Sequence, residues 1–293
     1  MTDKMEQKEV IEQIKKADNY IKHKKLSEAE NILDRLLKNI EPVEIDKYGK
    51  ILDFANQLEF ILYCNMDKHF KISWTRNFLS DVYLLKGIVQ YDNKKYNDAI
   101  FYCEKALRWN PVSIEIYSEI LEACMKMKDF EKFQIFFDRA IKVAIRPIDL
   151  SILYKKLAYV WIDKGNDEIA YNLLLYSKLF FPRKEIDIEI AYLENKVGTK
   201  LKYFPDLGAI QYLREKNLEY ERPDYIVPTL INAIKLMTDV MKKDENLTKN
   251  TYLVTIDYYH SLYFHRPGSG IHAQMLSLQR EYEHKYLTKK ENT

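Results

Sequence analysis

The sequence is poor in residues that make tight turns and in residues that make covalent cross-links. Its 293 residues include seven glycines, eight prolines and three cysteines. So few turn residues predict long secondary-structure elements and argue against an all-β fold. The three cysteines are an odd number without paired spacing, so no disulfide framework is expected, and the predicted location is a reducing cytoplasm.

Long apolar runs and charge of one sign are also lacking. No run approaches the ~18 apolar residues of a membrane-spanning helix, and the charged N-terminal stretch is unlike a signal peptide. The formal net charge is +2, with Lys and Glu spread along the chain. Because there is no basic block, no nucleic-acid partner is predicted. No membrane partner is predicted either, because no apolar run is long enough to span a membrane.

Motifs for catalysis and metal binding are absent from the sequence. The stretch "RPGSG" at 266–270 does not have the spacing of a phosphate loop. Four of the six histidines lie in the C-terminal third, at 260, 265, 272 and 284, but without metal-ligand spacing or a Cys partner. We expect no enzyme activity, no cofactor and no metal. An enzyme would need a pocket with converging polar groups in this third, first of all around residues 252–270.

One pattern of positions recurs along the chain. It begins with Tyr83, Gly87, Ala99 and Ala106, at successive offsets of 4, 12 and 7. The same offsets fall on Tyr117, Leu121, Phe133 and Ala140, and again on Tyr154, Ala158, Ala170 and Ser177. The three sets start 34 and then 37 residues apart, and each is followed by a proline, at 111, 147 and 182. A fixed period of this length is the signature of a repeat fold.

Each unit is interpreted as two amphipathic helices joined by a short polar turn. The small residues are placed where two antiparallel helices come closest, and the proline ends the second helix. Residues 80–182 should therefore form three antiparallel helix pairs. In the middle unit Leu121 and Phe133 replace small residues, so that pair should be splayed or offset. The small residues predicted to be buried at helix crossings are Gly87, Ala99, Ala106, Ala158 and Ala170.

The pattern resembles the tetratricopeptide repeat, most clearly in "YLLKG", "AIFYCEKAL" and "YKKLAYVW" within residues 80–182. The resemblance implies an all-α fold, a right-handed superhelical array of antiparallel helix pairs (an α-solenoid) with a helical C-terminal cap. A weaker copy with Ala17, Ala29 and Leu36 precedes Pro42 near the N-terminus.

Two regions are predicted: an array at 1–198, irregular at 43–79, and a helical cap or small helical subdomain at 199–293. In the irregular part, residues 45–66 are predicted as one long helix and a second helix runs from about 73 to 91. After Pro182 helices are predicted at 185–197, 206–217, 228–243, 249–264 and 271–287. Gly198 is a predicted helix stop and 264–270 a loop.

The resemblance also implies a binding surface, because the first helices of successive units line a concave groove that commonly holds a peptide. From the start of the array the groove should run from apolar through acidic to mixed basic and aromatic. The alternative is that the chain's own long helices cover part of it. The predicted groove residues are Leu84, Leu85, Ile88, Tyr91, Glu115, Glu119, Glu122, Lys155, Lys156 and Tyr159.

The function predicted from this surface is a cytoplasmic scaffold or adaptor that binds a protein or peptide with basic residues beside apolar anchors. A chaperone-tail receptor is not expected, because only Lys156 is basic among the positions matching that clamp: Leu84, Ile88, Glu119, Ile152 and Lys156. The alternative is a regulatory peptide-sensing protein, related to transcriptional regulators with such repeats but lacking its own DNA-binding domain. No oligomeric state is predicted.

Overall fold

The computed structural model describes residues 6–40, 50–67, 72–197, 207–243 and 248–287. Helices dominate these ranges, as the sequence predicts. Within them, the elements in chain order are α1 (Gln7–Lys22), α2 (Leu26–Asn39), β1 (Lys50–Leu52), α3 (Gln57–Met66), β2 (Ile72–Trp74), α4 (Leu79–Asp92), α5 (Tyr96–Trp109), α6 (Ile114–Met127), α7 (Phe130–Val143), α8 (Pro147–Asp163), α9 (Asp167–Phe180), α10 (Lys184–Val197), α11 (Leu207–Glu215), α12 (Ile226–Lys243), α13 (Lys249–His265) and α14 (Ser269–Tyr286).

The predicted helix pairs are present, and they pack in order along the chain. The pairs α4–α5, α6–α7 and α8–α9 each contact along their length, and α5 packs against α6. The N-terminal copy is the pair α1–α2, which packs on α4 although residues 41–78 intervene in the sequence. Ala17, Ala29 and Leu36 of that pair are fully buried. The described residues therefore contain four paired units, and the segment between α2 and α4 is inserted in the sequence after the first of them.

Small residues lie where the paired helices approach most closely. Ala99 is 3% exposed, and Ala106, Ala158 and Ala170 are fully buried. At Gly87 on α4 a side chain would collide with α5. The middle pair, with its larger side chains, packs less extensively than the other two, as predicted.

The turn inside each pair repeats the same backbone geometry. Each turn contains one residue with positive φ: Lys24 (56°), Lys94 (61°), Lys128 (56°) and Gly165 (76°). Its N–H donates to a carbonyl three residues earlier, and the next N–H donates to one five residues earlier. These paired bonds satisfy carbonyls at the end of the first helix. Because only one of the four residues is glycine, this repeat of geometry is nearly invisible in the sequence.

The prediction for residues 45–91 is wrong in two respects. Residues 50–52 and 72–74 form a short parallel pair of strands, in which Ile51 lies opposite Ser73. The helix α3 begins only at Gln57, after Asn56 accepts a hydrogen bond from the Glu59 N–H. The next helix begins at Leu79 rather than near residue 73, because Phe78 before it has a left-handed backbone (φ 63°). The apolar periodicity indicated continuous helices here, but the strand pairing and the later first residues of α3 and α4 shorten both of them. Residues 45–49 lie outside the described ranges.

The C-terminal helices fall close to their predicted positions and fold back along the chain. α11 packs against α9, α12 against α3, and α13 between α12 and α14. Asn65 on α3 donates to the Thr229 hydroxyl on α12 at 2.9 Å, and the Phe264 ring of α13 contacts the Phe180 ring of α9 at 5.1 Å. The predicted loop at 264–270 is shorter than expected, since α13 ends at His265 and α14 begins at Ser269. Gly198 and Pro42 lie outside the described residues.

The close approach at Gly87 gives a stability prediction. An added Cβ there would lie 2.5 Å from Cys103 Sγ and 3.2 Å from the Ala99 carbonyl oxygen. We expect Gly87→Ala to lower the free energy of unfolding by about 1–3 kcal/mol, because overpacking outweighs the ~1 kcal/mol that Ala gains over Gly in a helix. Urea unfolding measures the change.

Two further variants make that test specific. Cys103→Ala combined with Gly87→Ala removes the nearest atom and should recover part of the loss. Gly270→Ala on α14 is the matched control, because no atom lies within 4 Å of its added Cβ, and it should be neutral or stabilising. Equal losses at Gly87 and Gly270 would contradict the close approach.

Candidate functional site

A half-enclosed cavity of about 550 Å³ lies at the N-terminal ends of α4, α6 and α8, the first helices of three successive units. Its remaining walls come from α3 and α13. A cavity of this volume is in the range of small-molecule and peptide sites. The lining side chains used below are Leu58, Glu59, Leu62, Asp81, Leu84, Asn110, Val112, Glu115, Ser118, Glu119, Ile145, Arg146, Asp149, Val254 and Asp257.

The repeat itself places three acidic residues around this cavity. Asp81, Glu115 and Asp149 each lie in the first turn of a first helix, and they are 34 residues apart. Acidic side chains in a first turn are favoured by the positive end of the helix dipole. Stacking the units then brings the three carboxylates to one end of the shared face, so the array has an acidic end.

The start of α4 is fixed by Asp53 of the irregular segment. Its buried carboxylate accepts from the Ser80 N–H at 3.1 Å and the Ser80 hydroxyl at 3.0 Å, and pairs with Arg76 at 2.8 Å. Arg76 also reaches Asp81 at 2.9 Å. This network holds the segment 50–67 against the array and neutralises one carboxylate of the cavity.

Glu59 on α3 and Asn110 after α5 meet in the cavity wall. Glu59 Oε2 accepts from Asn110 Nδ2 and from the Ala55 N–H, both at 2.8 Å. Asn110 is only 2% exposed. Its other amide atom, Oδ1, is buried without a hydrogen-bond partner in the part of the chain that the structure describes.

The wall from α13 brings Asp257 next to an ion pair of α8. Arg146 donates to both carboxylate oxygens of Asp149, at 2.8 and 3.0 Å. The Asp257 carboxyl has no hydrogen-bond or ion-pair partner among the described residues, and burial raises its pKa against the lowering effect of Arg146. α13 is itself held by His265 Nε2, which lies 2.7 Å from the Ile145 carbonyl oxygen.

The predicted groove residues divide into two groups. Leu84, Glu115 and Glu119 line the cavity. Leu85 instead packs against the cluster that α4 forms with α1 and α2, and Ile88 contacts both that cluster and the main core. Part of the predicted apolar end is thus occupied by packing between units.

Beyond the cavity the groove is crossed by internal contacts. Lys156 on α8 pairs with Glu122 on α6 at 2.5 Å, and the Tyr91 hydroxyl lies 3.5 Å from the same carboxylate. The Tyr159 hydroxyl donates to Glu189 of α10 at 3.1 Å. Lys155 is half-buried, and burial lowers the pKa of its amine. Of the predicted groove residues, Leu84, Glu115 and Glu119 are thus the ones that line the cavity.

Five cavity carboxyls have pKa values above their ordinary range. Burial is the largest cause of the raised pKa in each of them: Glu59, Asp81, Glu115, Glu119 and Asp257. At Glu119 the next influences are Lys156, which lowers the pKa, and then three acidic neighbours that raise it. The site is therefore short of positive charge.

Sequence reasoning missed Glu59, Asn110 and Asp257. Glu59 and Asp257 reach the cavity through tertiary packing of segments outside the three repeats, and Asn110 meets Glu59 only through that packing. Asp81 and Asp149 could have been found, because they share the repeat position of Glu115. Among the described residues no group of three or more His, Cys, Asp or Glu side chains is arranged to hold a metal ion.

The fold and this site define a helical-repeat array with a cavity on the face of its first helices. Residues 80–113 match the sequence model of the tetratricopeptide repeat. The chain therefore carries a tetratricopeptide repeat, which confirms the resemblance seen in its sequence, and the same pairing continues through α9.

No curated protein matches the chain. A solved structure described as the functional characterization of Pseudomonas aeruginosa pilF is similar, with 15% identity and a TM-score of 0.47, over 92% of this chain and 96% of that one. That likeness is too loose to support a conclusion. No helix in the described ranges is long and apolar enough to cross a membrane.

The raised pKa of Glu119 predicts a dependence of stability on pH. A carboxyl whose folded-state pKa is raised contributes stability below its ordinary pKa of 4.5, and that contribution is lost as pH rises through the raised value. Glu119→Gln removes this loss. We expect the variant to melt at a higher temperature than the parent protein at pH 7.5, with a smaller difference at pH 5.

Calorimetry of both proteins at the two pH values measures the effect. Glu104→Gln, at an exposed position on α5, is the matched control and should show no pH-dependent difference. A Glu119→Gln variant that is less stable than the parent at pH 7.5 would contradict the unfavourable burial of this charge.

Proposed function

We propose that this protein is a scaffold that binds a protein or peptide segment on the face formed by its first helices. The observation that carries the proposal is the cavity of about 550 Å³ whose walls include the first helices of three successive units. Most extended repeat arrays bind along the surface that the stacking creates. Here the lining combines apolar side chains for affinity with polar groups for orientation.

The internal contacts of the groove support a binding site at its acidic end. The Glu122–Lys156 pair and the Tyr91 hydroxyl occupy the middle of the predicted surface. A partner at that position would have to break an ion pair before it gained a contact. A partner in the cavity between α3 and α13 would not have to break the Glu122–Lys156 ion pair. We therefore place the partner segment in that cavity, where it would also contact Leu84 and Ser118.

The cysteine content of the chain supports a proposal about where the protein is located in the cell. Three free cysteines, two of them buried, suit a reducing compartment, and we propose that the scaffold works in the cytoplasm. We also propose that it is not an enzyme, because arrays of tetratricopeptide repeats typically act as scaffolds without catalytic activity.

Blocking the cavity tests the scaffold function. Peptides are first selected from a random 12-residue display library on the immobilised protein. Ser118 is half-buried in the cavity lining, and Ser118→Phe should weaken binding of the selected peptides at least tenfold, about 1.4 kcal/mol. Fluorescence anisotropy with labelled peptides measures the dissociation constants.

Glu104→Phe is the matched control, because it adds the same ring at an exposed position on α5 and away from the cavity lining. It should leave binding unchanged, and circular dichroism should show that both variants keep their helices. A substitution at Ile88 would be harder to interpret than one at Ser118. Ile88 packs against two hydrophobic clusters, so its replacement could unfold the protein as well as alter the groove. If repeated selections yield no binder, or if binders ignore Ser118→Phe, the proposed function is wrong.

A further inference from the structure

The cavity lining carries far more negative than positive charge. It contains six carboxylates, those of Glu59, Asp81, Glu115, Glu119, Asp149 and Asp257, and one cation, Arg146. Two of the carboxylates are neutralised in place, because Arg146 binds Asp149 through two hydrogen bonds and Arg76 reaches Asp81. Glu59, Glu115, Glu119 and Asp257 have no ion-pair partner among the described residues. The lining therefore has an excess of negative charge that its own cations do not match.

An independent observation shows that a hydrogen-bond donor is lacking at the same place. The Asn110 side chain is 98% buried, being 2% exposed, and it lines the cavity. Its Nδ2 is used by Glu59, and its Oδ1 is buried without a partner in the described chain. Buried carbonyl oxygens are almost always paired. The group that pairs with this one must be a donor, and the acidic neighbours favour a donor with positive charge.

The apolar part of the lining indicates that the ligand also has an apolar portion. The lining shares with Asn110 and Glu59 several apolar side chains, among them Leu58, Leu62, Val112, Ile145 and Val254. A long basic side chain has an apolar stem and a charged head, and it buries the stem while the head keeps polar partners. Lysine and arginine are the protein side chains with this build.

We propose that the cavity binds a lysine or arginine side chain presented by a partner peptide, with its cationic head among Asn110 Oδ1 and the carboxylates of Glu59, Glu119 and Asp257. This inference rests on the proposed scaffold function and names the feature that the scaffold recognises. A metal ion is disfavoured as the cation, because the described carboxylates form no group arranged to hold one. The unpaired carboxylates are costly to bury in the free protein, and a bound cation relieves that cost.

Binding of a defined pair of peptides tests the inference. The probe is a fluorescein-labelled peptide, Ala-Leu-Lys-Leu-Lys-Leu-Ala, and its match has both lysines acetylated, which removes the charge and keeps the stem. We expect the lysine peptide to bind the full chain at least tenfold more tightly than the acetylated one. Glu119→Gln should weaken the lysine peptide at least fivefold and leave the acetylated peptide unchanged, while Glu104→Gln should alter neither.

Circular dichroism of Glu119→Gln checks that the variant keeps its helices, which separates loss of the charge from loss of the fold. If both peptides bind equally and Ser118→Phe still blocks them, the scaffold function stands and the cation inference is wrong. If spermidine binds in a Glu119-dependent way while no peptide binds, the cation comes from a free amine, and both the peptide source and the scaffold function are overturned. Binding that ignores Glu119→Gln also overturns the inference.

Discussion

The buried carboxylate of Asp53 connects the irregular segment to the repeat array. It accepts two hydrogen bonds from Ser80 and pairs with Arg76 while fully excluded from water. A buried charge is tolerated only when all of its partners are in place, so the segment has one position against the start of α4. α3 follows Asp53 within a few residues, and Glu59 on that helix is thereby held over the first helices. Without this contact the cavity would lose one of its walls.

The repeats were predictable because their constraint is local. Two helices can approach closely only where side chains are small. The small residues Gly87, Ala99 and Ala106 therefore indicate the close approach directly in the sequence. The spacing follows from helix geometry and a short turn, so it recurs wherever the same pair is built. The middle repeat departs from the small-residue pattern at Leu121 and Phe133, and these larger residues correctly indicated a less closely packed helix pair. The C-terminal helices were predictable from periodicity alone, but their packing partners were not.

The irregular segment and most of the cavity depend on contacts between distant residues. The strand pair is three residues long on each side, too short to leave an alternating pattern in the sequence. Glu59, Asn110 and Asp257 come together from an insertion, a helix end and a C-terminal helix, and nothing in their local sequence marks them as neighbours. The groove prediction was incomplete for a different reason, because residues on neighbouring helices contact each other. Tyr91, Glu122 and Lys156 were correctly placed on adjacent helices, but at that spacing they can bond to one another instead of facing solvent.

The two outer walls of the cavity come from segments on opposite sides of the repeats in the chain, one before α4 and one after α11. During synthesis the repeats and α3 leave the ribosome first, and the carboxylates remain in water until α13 arrives. The cost of removing them from water then falls on the docking of the C-terminal helices rather than on the folding of the repeats. We therefore expect the cavity end of the array to open at lower free energy than the repeats themselves, as a local unfolding unit of its own.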